Sequence, residues 1–503
     1  MQDHRAADRH SRDAPGLVPL GPDQAVKVRL VIEPAHGRSR AVQHTAWMLV
    51  NMLARLELIV DEVQIDCPRS IPLDHQVVPF VDGTRDLAEA LVTAGQRIGI
   101  VPVAAADAST ADHVITIGPG PAPLVGLRTH GHAWSGAIST GEIAPDARPP
   151  RSSLPFGPYV AASLATSEIF RAVRADLDRF PPPARVCYSL YSHRTNDEWF
   201  DDGPPDIPSL RIDAALAGAG AVGCAWLHTI WACSDLYGSV VVADDDADGV
   251  DVTNLNRGTL FTIEDVGEPK ADVAVAAAAR AGLQLTAHVG KVETAPNPSR
   301  FMVVAADTNS ARAGIQSQYS FPLLFASTSD LRAEVVRCDP TRDGPCMRCH
   351  NPPRDEPSDD ELADRFLAAS PAEQARLAEA AETDVDSTRT WATDPTPNCG
   401  LAGERVLPAL RAADRDQRAL FAVPFVSVLA GAMLAAETVK ELAHWSPLSA
   451  LVPRAVFQFL KPLAKSNGAS SYERQRDCPQ CGETTPGGAV WRKRAQAANP
   501  RPD

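Results

Sequence analysis

Residues 214–245 read AALAGAGAVGCAWLHTIWACSDLYGSVVVADD, and the order of apolar and glycine positions in this stretch decides the fold. AALAGAG reads as a strand that runs directly into a helix from Val222, and SVVVADD reads as the next strand. At the first junction, Gly218-Ala219-Gly220-Ala221-Val222-Gly223 has the spacing G-x-G-x-x-G. Glycines there permit a tight turn and close approach of backbone to phosphate. The helix start adds unpaired N–H groups at the positive end of its dipole. Alone the motif is a weak signal, and its usual owner is a dinucleotide enzyme. An acidic group about 20 residues further on, here within Asp244-Asp245-Asp246, fits ribose binding in either case.

The residues that follow depart from a dehydrogenase. Residues 246–270 read DADGVDVTNLNRGTLFTIEDVGEPK, which places Asn254, Arg257 and Lys270 soon after the candidate ribose carboxylate Asp246. An arginine and a lysine so placed can reach a triphosphate and neutralise charge developing on departing pyrophosphate. Asp307 ends the next strand-like run, FMVVAAD, and at that edge of a sheet a carboxylate can hold Mg2+ on phosphates. Singly, each residue has a plain explanation as a solvated surface charge or a helix cap. Together, in this order, they are far more specific.

Working outward, the chain has 503 residues, 44% hydrophobic and 22% charged, enough for several globular domains. Its net charge of −15 argues against nucleic acid or an anionic membrane surface as the main partner. The first residues lack the apolar run of a secretory signal, and the longest apolar segment, Phe421–Ala436, is too short to span a bilayer. Ten sparse cysteines, four of them in two C-x-x-C pairs, point to reduced thiols and a cytoplasmic setting.

Before the glycine motif lies another α/β alternation. Strands are expected at Val26–Ile32, Leu58–Ile65, Arg97–Val103 and His113–Ile117, with helices at Ala41–Leu56 and over LAEALVTA, giving a largely parallel sheet. This unit has no G-x-G-x-x-G of its own. One echo links it to the second unit. Pro155–Arg174 and Pro424–Ala443 share an initial Pro-Phe, an alanine at 161 and 430, and a glutamate at 168 and 437, without a gap. Either two unrelated Ala-rich helices coincide, or the two units are duplicated halves. Residues 351–394 turn acidic, Ala-rich and helical, as an insertion outside the sheet would. The expected division is a disordered tail at 1–25, a first half at 26–200, a second half at 201–482 and a disordered tail at 483–503. Within the second half, 346–400 holds the cysteine knuckle, the helical insertion and a cysteine loop.

The pairs Cys346-Met-Arg-Cys349 and Cys478-Pro-Gln-Cys481 supply four thiolates suited to a tetrahedral structural Zn2+, although their separation exceeds that of a compact zinc ribbon. Four unrelated thiols are the plain alternative. Cys399, in Pro397-Asn-Cys-Gly400, has the loop context of an exposed thiol beside a coming helix start, or is incidental. Cys67, Cys187, Cys224, Cys233 and Cys338 lie in or beside expected structural elements and read as packing residues.

DADGVDVTNLNRGTLFTIEDVGEPKA resembles the adenylation signature of the ubiquitin-activating enzyme superfamily, which includes the ThiF/MoeB-type adenylyltransferases of thiamine and molybdopterin synthesis. The resemblance covers roughly residues 210–482 and is most specific over 216–312. It implies a Rossmann-like α/β adenylation fold with a degenerate N-terminal half and an active C-terminal half. In that reading Gly218, Gly220 and Gly223 form the ATP loop, Asp246 binds the ribose, Asn254, Arg257 and Lys270 bind phosphates, and Asp307 binds Mg2+. Arg312 falls where the family often has an arginine, while Thr308 departs from its usual asparagine. The resemblance also implies a zinc site pinning a late loop to the C-terminal region. It places a thioester cysteine in the interval occupied by Cys399, and an arginine from the other half on the phosphates. Arg38, Arg40 and Arg194 are candidates for that last role.

The implied activity is ATP-dependent adenylation of the C-terminus of a ubiquitin-like protein, then a thioester on Cys399 for transfer to a conjugating enzyme. Bacterial members occur near genes for conjugation, several linked to phage defence. A sulfur-carrier adenylyltransferase for cofactor or natural-product synthesis is the enzyme alternative, and a nucleotide-sensing scaffold the non-enzyme one.

Overall fold

The computed structural model describes residues 24–81, 83–108, 110–143, 151–174, 177, 183–296, 301–329, 331–342, 344–352, 359–381, 383–393, 406, 410, 422–443 and 453–498. Most of them form two mixed α/β halves built on one plan. In the first half, strands β1 (Val26–Ile32), β2 (Val60–Asp66), β3 (Val103–Ala105), β4 (His113–Ile117), β5 (Leu127–His132), β6 (Ser135–Ser139), β7 (Arg185–Ser189) and β8 (Thr195–Asn196) make a sheet ordered β3-β2-β1-β4-β5-β6-β7-β8. In the second, β9 (Leu210–Ala217), β10 (Leu236–Asp244), β11 (Leu283–Val289), β12 (Phe301–Val304), β13 (Leu323–Ser329), β14 (Arg332–Cys338), β15 (Arg454–Gln458) and β16 (Gly468–Ser470) repeat it as β11-β10-β9-β12-β13-β14-β15-β16.

In each sheet the first five strands in that order are parallel and the last three pair antiparallel. The parallel part was the expectation. The antiparallel end adds to it.

Helices α1 (Arg40–Leu53) and α4 (Ala221–Ala232) follow the central strands β1 and β9, while α3 (Phe156–Val173) and α11 (Pro424–Leu442) precede β7 and β15. The echoed segments therefore occupy the same place in each half, which favours duplication over coincidence. These helices are buried on nearly every face, as layers between sheets must be. One continuous apolar core runs through both halves, from Leu30 and Trp47 to Leu216, Trp226 and Leu429.

The two halves are tied reciprocally. Arg171 Nη1, on α3, donates to the Phe459 carbonyl just past β15 at 3.0 Å. Lys440 Nζ, on α11, donates to the carbonyls of Leu190 and Tyr191 just past β7 at 3.1 and 3.0 Å. The echoed glutamates stand three residues before these cations, Glu168 at 3.7 Å from Arg171 and Glu437 in contact with Lys440. They differ in support. Burial pushes the Glu437 carboxyl up, but Lys440 and His193, whose Nε2 lies at 2.7 Å, together hold it below its usual range. Burial pushes Glu168 up to about 7, and Arg171 opposes this only partly.

Residues 353–420 form a separate compact unit. Its described helices, α8 (Asp359–Ala368), α9 (Pro371–Ala380) and α10 (Val385–Thr393), enclose their own core of Leu362, Phe366, Leu377 and Trp391.

Two expectations need correction. Arg97 and Ile98 end helix α2 (Leu87–Ile98), which Gly99 terminates at φ 78°, so strand β3 is shorter and later than expected. The stretch from 483 is not a disordered tail: α12 (Pro486–Ala498) packs into the second half, with Trp491 fully buried and its Nε1 donating to the Ser320 carbonyl at 2.9 Å. The expected N-terminal tail, apart from Gln24 and Ala25, lies outside the described residues. No helix among the described residues is long and apolar enough to cross a membrane.

The raised Glu168 pKa gives a test with a definite sign. A carboxyl whose pKa is higher folded than unfolded destabilises the fold once pH rises through its unfolded value, with the full cost above about 7. Glu168→Gln should therefore raise the melting temperature at pH 8 and leave it nearly unchanged at pH 4. A fall at pH 8 would show that the ionised carboxylate supports Arg171 more than its burial costs.

Candidate functional site

At the carboxyl end of β9 the second half turns on glycine into α4. Gly218 follows the strand at φ 98°, a conformation that disfavours side chains, and its backbone lies against Ala305 at the end of β12. Gly220 caps α4 without a side-chain hydrogen bond. A Cβ on Gly223 would sit 1.9 Å from the Gly218 carbonyl oxygen, so glycine there is required by the turn itself. A Cβ on Gly220 would meet nothing within 4 Å. Packing does not demand that glycine, whose bare backbone leaves the α4 N-terminus open to a ligand.

The acidic triplet divides its work. Asp244, at the end of β10, accepts from the Ala219 and Asp246 N–H groups at 2.6 and 3.1 Å and so braces the glycine turn. Burial pushes its pKa up. Asp246 is exposed and pairs with Lys270, the first residue of α5 (Lys270–Ala277).

Loop 252–261 carries the other candidates. The Asn254 side-chain oxygen accepts from the Asp251 N–H at 3.0 Å, closing a capping box. Arg257 Nη1 donates to the Thr253 carbonyl and to Asn256 Oδ1, both at 2.7 Å. The middle of the motif, Leu255 and Asn256, is buried, and the flanking Asn254 and Arg257 are half-buried.

Asp307 lies exposed beyond β12, two residues after the Ala305 backbone that touches Gly218. Arg312 donates to the Ala306 carbonyl and to Asn309 Oδ1 at 3.0 and 3.1 Å, bracing that loop, with burial pulling its pKa down. Thr308 caps α6 (Asn309–Gln316) by accepting from the Ala311 N–H at 3.1 Å, work that the family's usual asparagine can equally do.

The first half has no glycine at the matching position. Glu33, at the position after β1 that Gly218 holds after β9, takes a bidentate pair from Arg128 at 3.1 and 3.2 Å. Arg128 is buried and also donates to the carbonyls of Gly118 and Pro121 at 3.1 and 2.8 Å. Its guanidinium holds the Glu33 carboxyl below its usual range. A paired carboxylate and guanidinium thus stand where the second half has bare glycine.

The candidate first-half arginines are not brought to the second-half loop. Trp47 Nε1 donates to His228 Nε2 at 3.1 Å, which ties α1 to α4, and the C-terminal end of α1 reaches loop 252–261 through Asn51 and Arg55. Arg40 sits at the opposite end, 3.4 Å from His44, while Arg38 is exposed and Arg194 lies over the Phe200 ring. Among the described residues, the first-half arginine bonded to the loop is Arg55, a fully buried residue with no motif to announce it.

The four knuckle cysteines come together, with all four sulfurs within 4.8 Å of one another. Cys346 stands 3.7 Å from both Cys349 and Cys478, and Cys349 lies 3.3 Å from Cys481. Zn–S bonds of about 2.3 Å in a tetrahedron place sulfurs about 3.8 Å apart, so the donor set fits zinc. Among the other cysteines, burial pushes Cys67, Cys187 and Cys233 up to about 12, and Cys224 and Cys338 higher. They are packing thiols and poor nucleophiles at neutral pH. Cys399 lies outside the described residues.

Comparison with known proteins agrees with this architecture. The ThiF family model matches residues 199–479, more than half of the chain, and the chain belongs to the ThiF family. The BilD N-terminal domain model matches residues 27–181. The chain is 39% identical over 98 residues to the NEDD8-activating enzyme E1 catalytic subunit of Caenorhabditis elegans, spanning 19% of this chain and only 22% of that one. It is 29% identical over 177 residues to the SAMP-activating enzyme E1 of Haloferax volcanii, spanning 33% of this chain and 62% of that one. Among solved structures, E. coli MccB with ATP is 16% identical with a TM-score of 0.35, covering 55% of this chain and 68% of MccB.

The glycine geometry predicts an asymmetric pair of variants. Gly223→Ala must displace backbone and should lose about 1–3 kcal/mol of stability in denaturant titration. Gly220→Ala should unfold like the unmutated protein yet bind Mg·ATP more weakly. Equal stability of the two variants would contradict the packing described. For the cysteine cluster, elemental analysis should find one Zn2+ per chain, and Cys349→Ser should lower the melting temperature as the metal is lost. Zinc-free protein with four freely titratable thiols would remove the site.

Proposed function

We propose that the chain activates the C-terminus of a ubiquitin-like protein, first as an acyl-adenylate and then as a thioester on Cys399. The observation that carries the first step is the bare N-terminus of α4 at Gly220, whose turn is braced by Asp244, which also accepts from the backbone of Asp246, the partner of Lys270. Membership of the ThiF family and similarity to NEDD8- and SAMP-activating enzymes support it.

The substrate carboxylate is already ionised at neutral pH, so no general base is needed. Its oxygen attacks the α-phosphorus, the bond from that phosphorus to the bridging oxygen breaks, and pyrophosphate leaves with the electron pair. The chain's task is positioning and charge neutralisation. Asp246 holds the ribose, the α4 N–H groups meet phosphate oxygens, and Arg257, Lys270 and Asn254 gather the leaving pyrophosphate. Asp307 would hold Mg2+, which supplies further neutralisation on the phosphates. For Lys270 to serve, it must leave Asp246, which frees that carboxylate for the ribose hydroxyls.

In the second step the Cys399 thiolate attacks the acyl carbonyl and AMP leaves. The raised pKa values of the described thiols outside the cluster support Cys399 as nucleophile. Transfer to a conjugating enzyme would follow, and a role in phage defence belongs to the same proposal.

Asp307→Ala should abolish ATP–pyrophosphate exchange while the fold survives, because an exposed carboxylate contributes little packing. Near-normal exchange at saturating Mg2+ would remove it from the site. Cys399→Ala should keep exchange and lose the reductant-sensitive adduct between enzyme and ubiquitin-like protein. Exchange without any such adduct in the unmutated enzyme would leave adenylation alone and favour the sulfur-carrier reading.

A further inference from the structure

Arg55 stands two residues past α1, in the first half, yet two of its three bonded groups lie in the second. Nη1 donates to the Leu255 carbonyl at 2.8 Å and Nη2 to the Phe261 carbonyl at 2.9 Å. Nε donates to Asn51 Oδ1 at 2.9 Å, and Asn51 Nδ2 in turn donates to the Thr259 carbonyl at 3.0 Å. Arg55 and Asn51 are both fully buried. Three carbonyls of one loop thus receive first-half donors that water cannot supply there.

The bonded loop is the one that carries Asn254 and Arg257. Its middle is held from the second half as well, since Asn256 Nδ2 donates to the Ala422 carbonyl at 2.9 Å. A planar guanidinium presents its donors in a fixed fork, so Arg55 sets the distance between the Leu255 and Phe261 carbonyls. Burial pulls its pKa down to about 9, which leaves it charged at neutral pH.

We propose that Arg55, supported by Asn51, is a positioning residue for adenylation, fixing loop 254–261 so that Arg257 meets the triphosphate. The nucleotide site of the second half is then incomplete without the first. This rests on the adenylation reading above.

The test uses the full chain with Asn51→Ala, which leaves Arg55 in place, and Arg55→Lys, which keeps the charge but cannot span the same acceptors. Mg·ATP alone is the probe. Affinity is measured by calorimetry well below each melting temperature, with backbone hydrogen exchange over 254–261 followed in parallel. Each folded variant should bind Mg·ATP about tenfold or more weakly and exchange faster in the loop, as expected when buried carbonyls lose their donors. Lowered melting temperature with unchanged Mg·ATP affinity would make the contact purely structural and overturn the proposal, leaving the adenylation reading intact. Failure of the unmutated protein to bind Mg·ATP would overturn that reading and this proposal with it.

Discussion

Two cations that cross between the halves, Arg171 and Lys440, hold the frame in which the site is built. Each comes from the long helix of one half and donates to backbone carbonyls just past the seventh strand of the other. Apolar burial of α1, α3, α4 and α11 supplies the driving force, but it is indifferent to small slides and rotations. Carbonyl oxygens buried at the seam are not. They need donors, and reciprocal donation allows one docking of half on half. With that docking fixed, α1 packs on α3 and its end reaches loop 252–261.

The halves share a topology but have diverged at the carboxyl ends of their central strands. After β9 the chain turns on glycine, leaving an open helix terminus. After β1 the same position is Glu33, paired with a buried Arg128 that draws the neighbouring carbonyls inward. The second half keeps bare glycine at that position, and the first fills it with a paired carboxylate and guanidinium. The first half contributes instead through Asn51 and Arg55, which end on loop 252–261 of the second.

Much of this was legible in the sequence where a residue's chemistry and its position coincide. Gly218 and Gly223 announce a turn, and Asn254, Arg257 and Lys270 stand out by their order after the acidic triplet and by the family resemblance. The C-x-x-C spacing announced two cysteine pairs, and their union in one site rested on the family resemblance. Other parts carry no such signal. Strand β6, SGAIS, is buried throughout and has no alternation to read. Helix α12 reads as a polar tail because its place in the core depends chiefly on Trp491 and Ala495. Asp244 looks like Asp246 in the sequence, and only the turn beside it separates a brace from an exposed partner of Lys270. Arg55 is a lone arginine at a helix end, and its partners are backbone carbonyls some 200 residues away.

The central claim is that two duplicated halves make one nucleotide site, open in the second and closed in the first. Calorimetric titration of the full chain with Mg·ATP reads this directly as a stoichiometry. One Mg·ATP bound per chain, reduced to none when Asp246 and Lys270 are both replaced by alanine, is the expected result. Two bound per chain, or one that survives the double replacement, would contradict it.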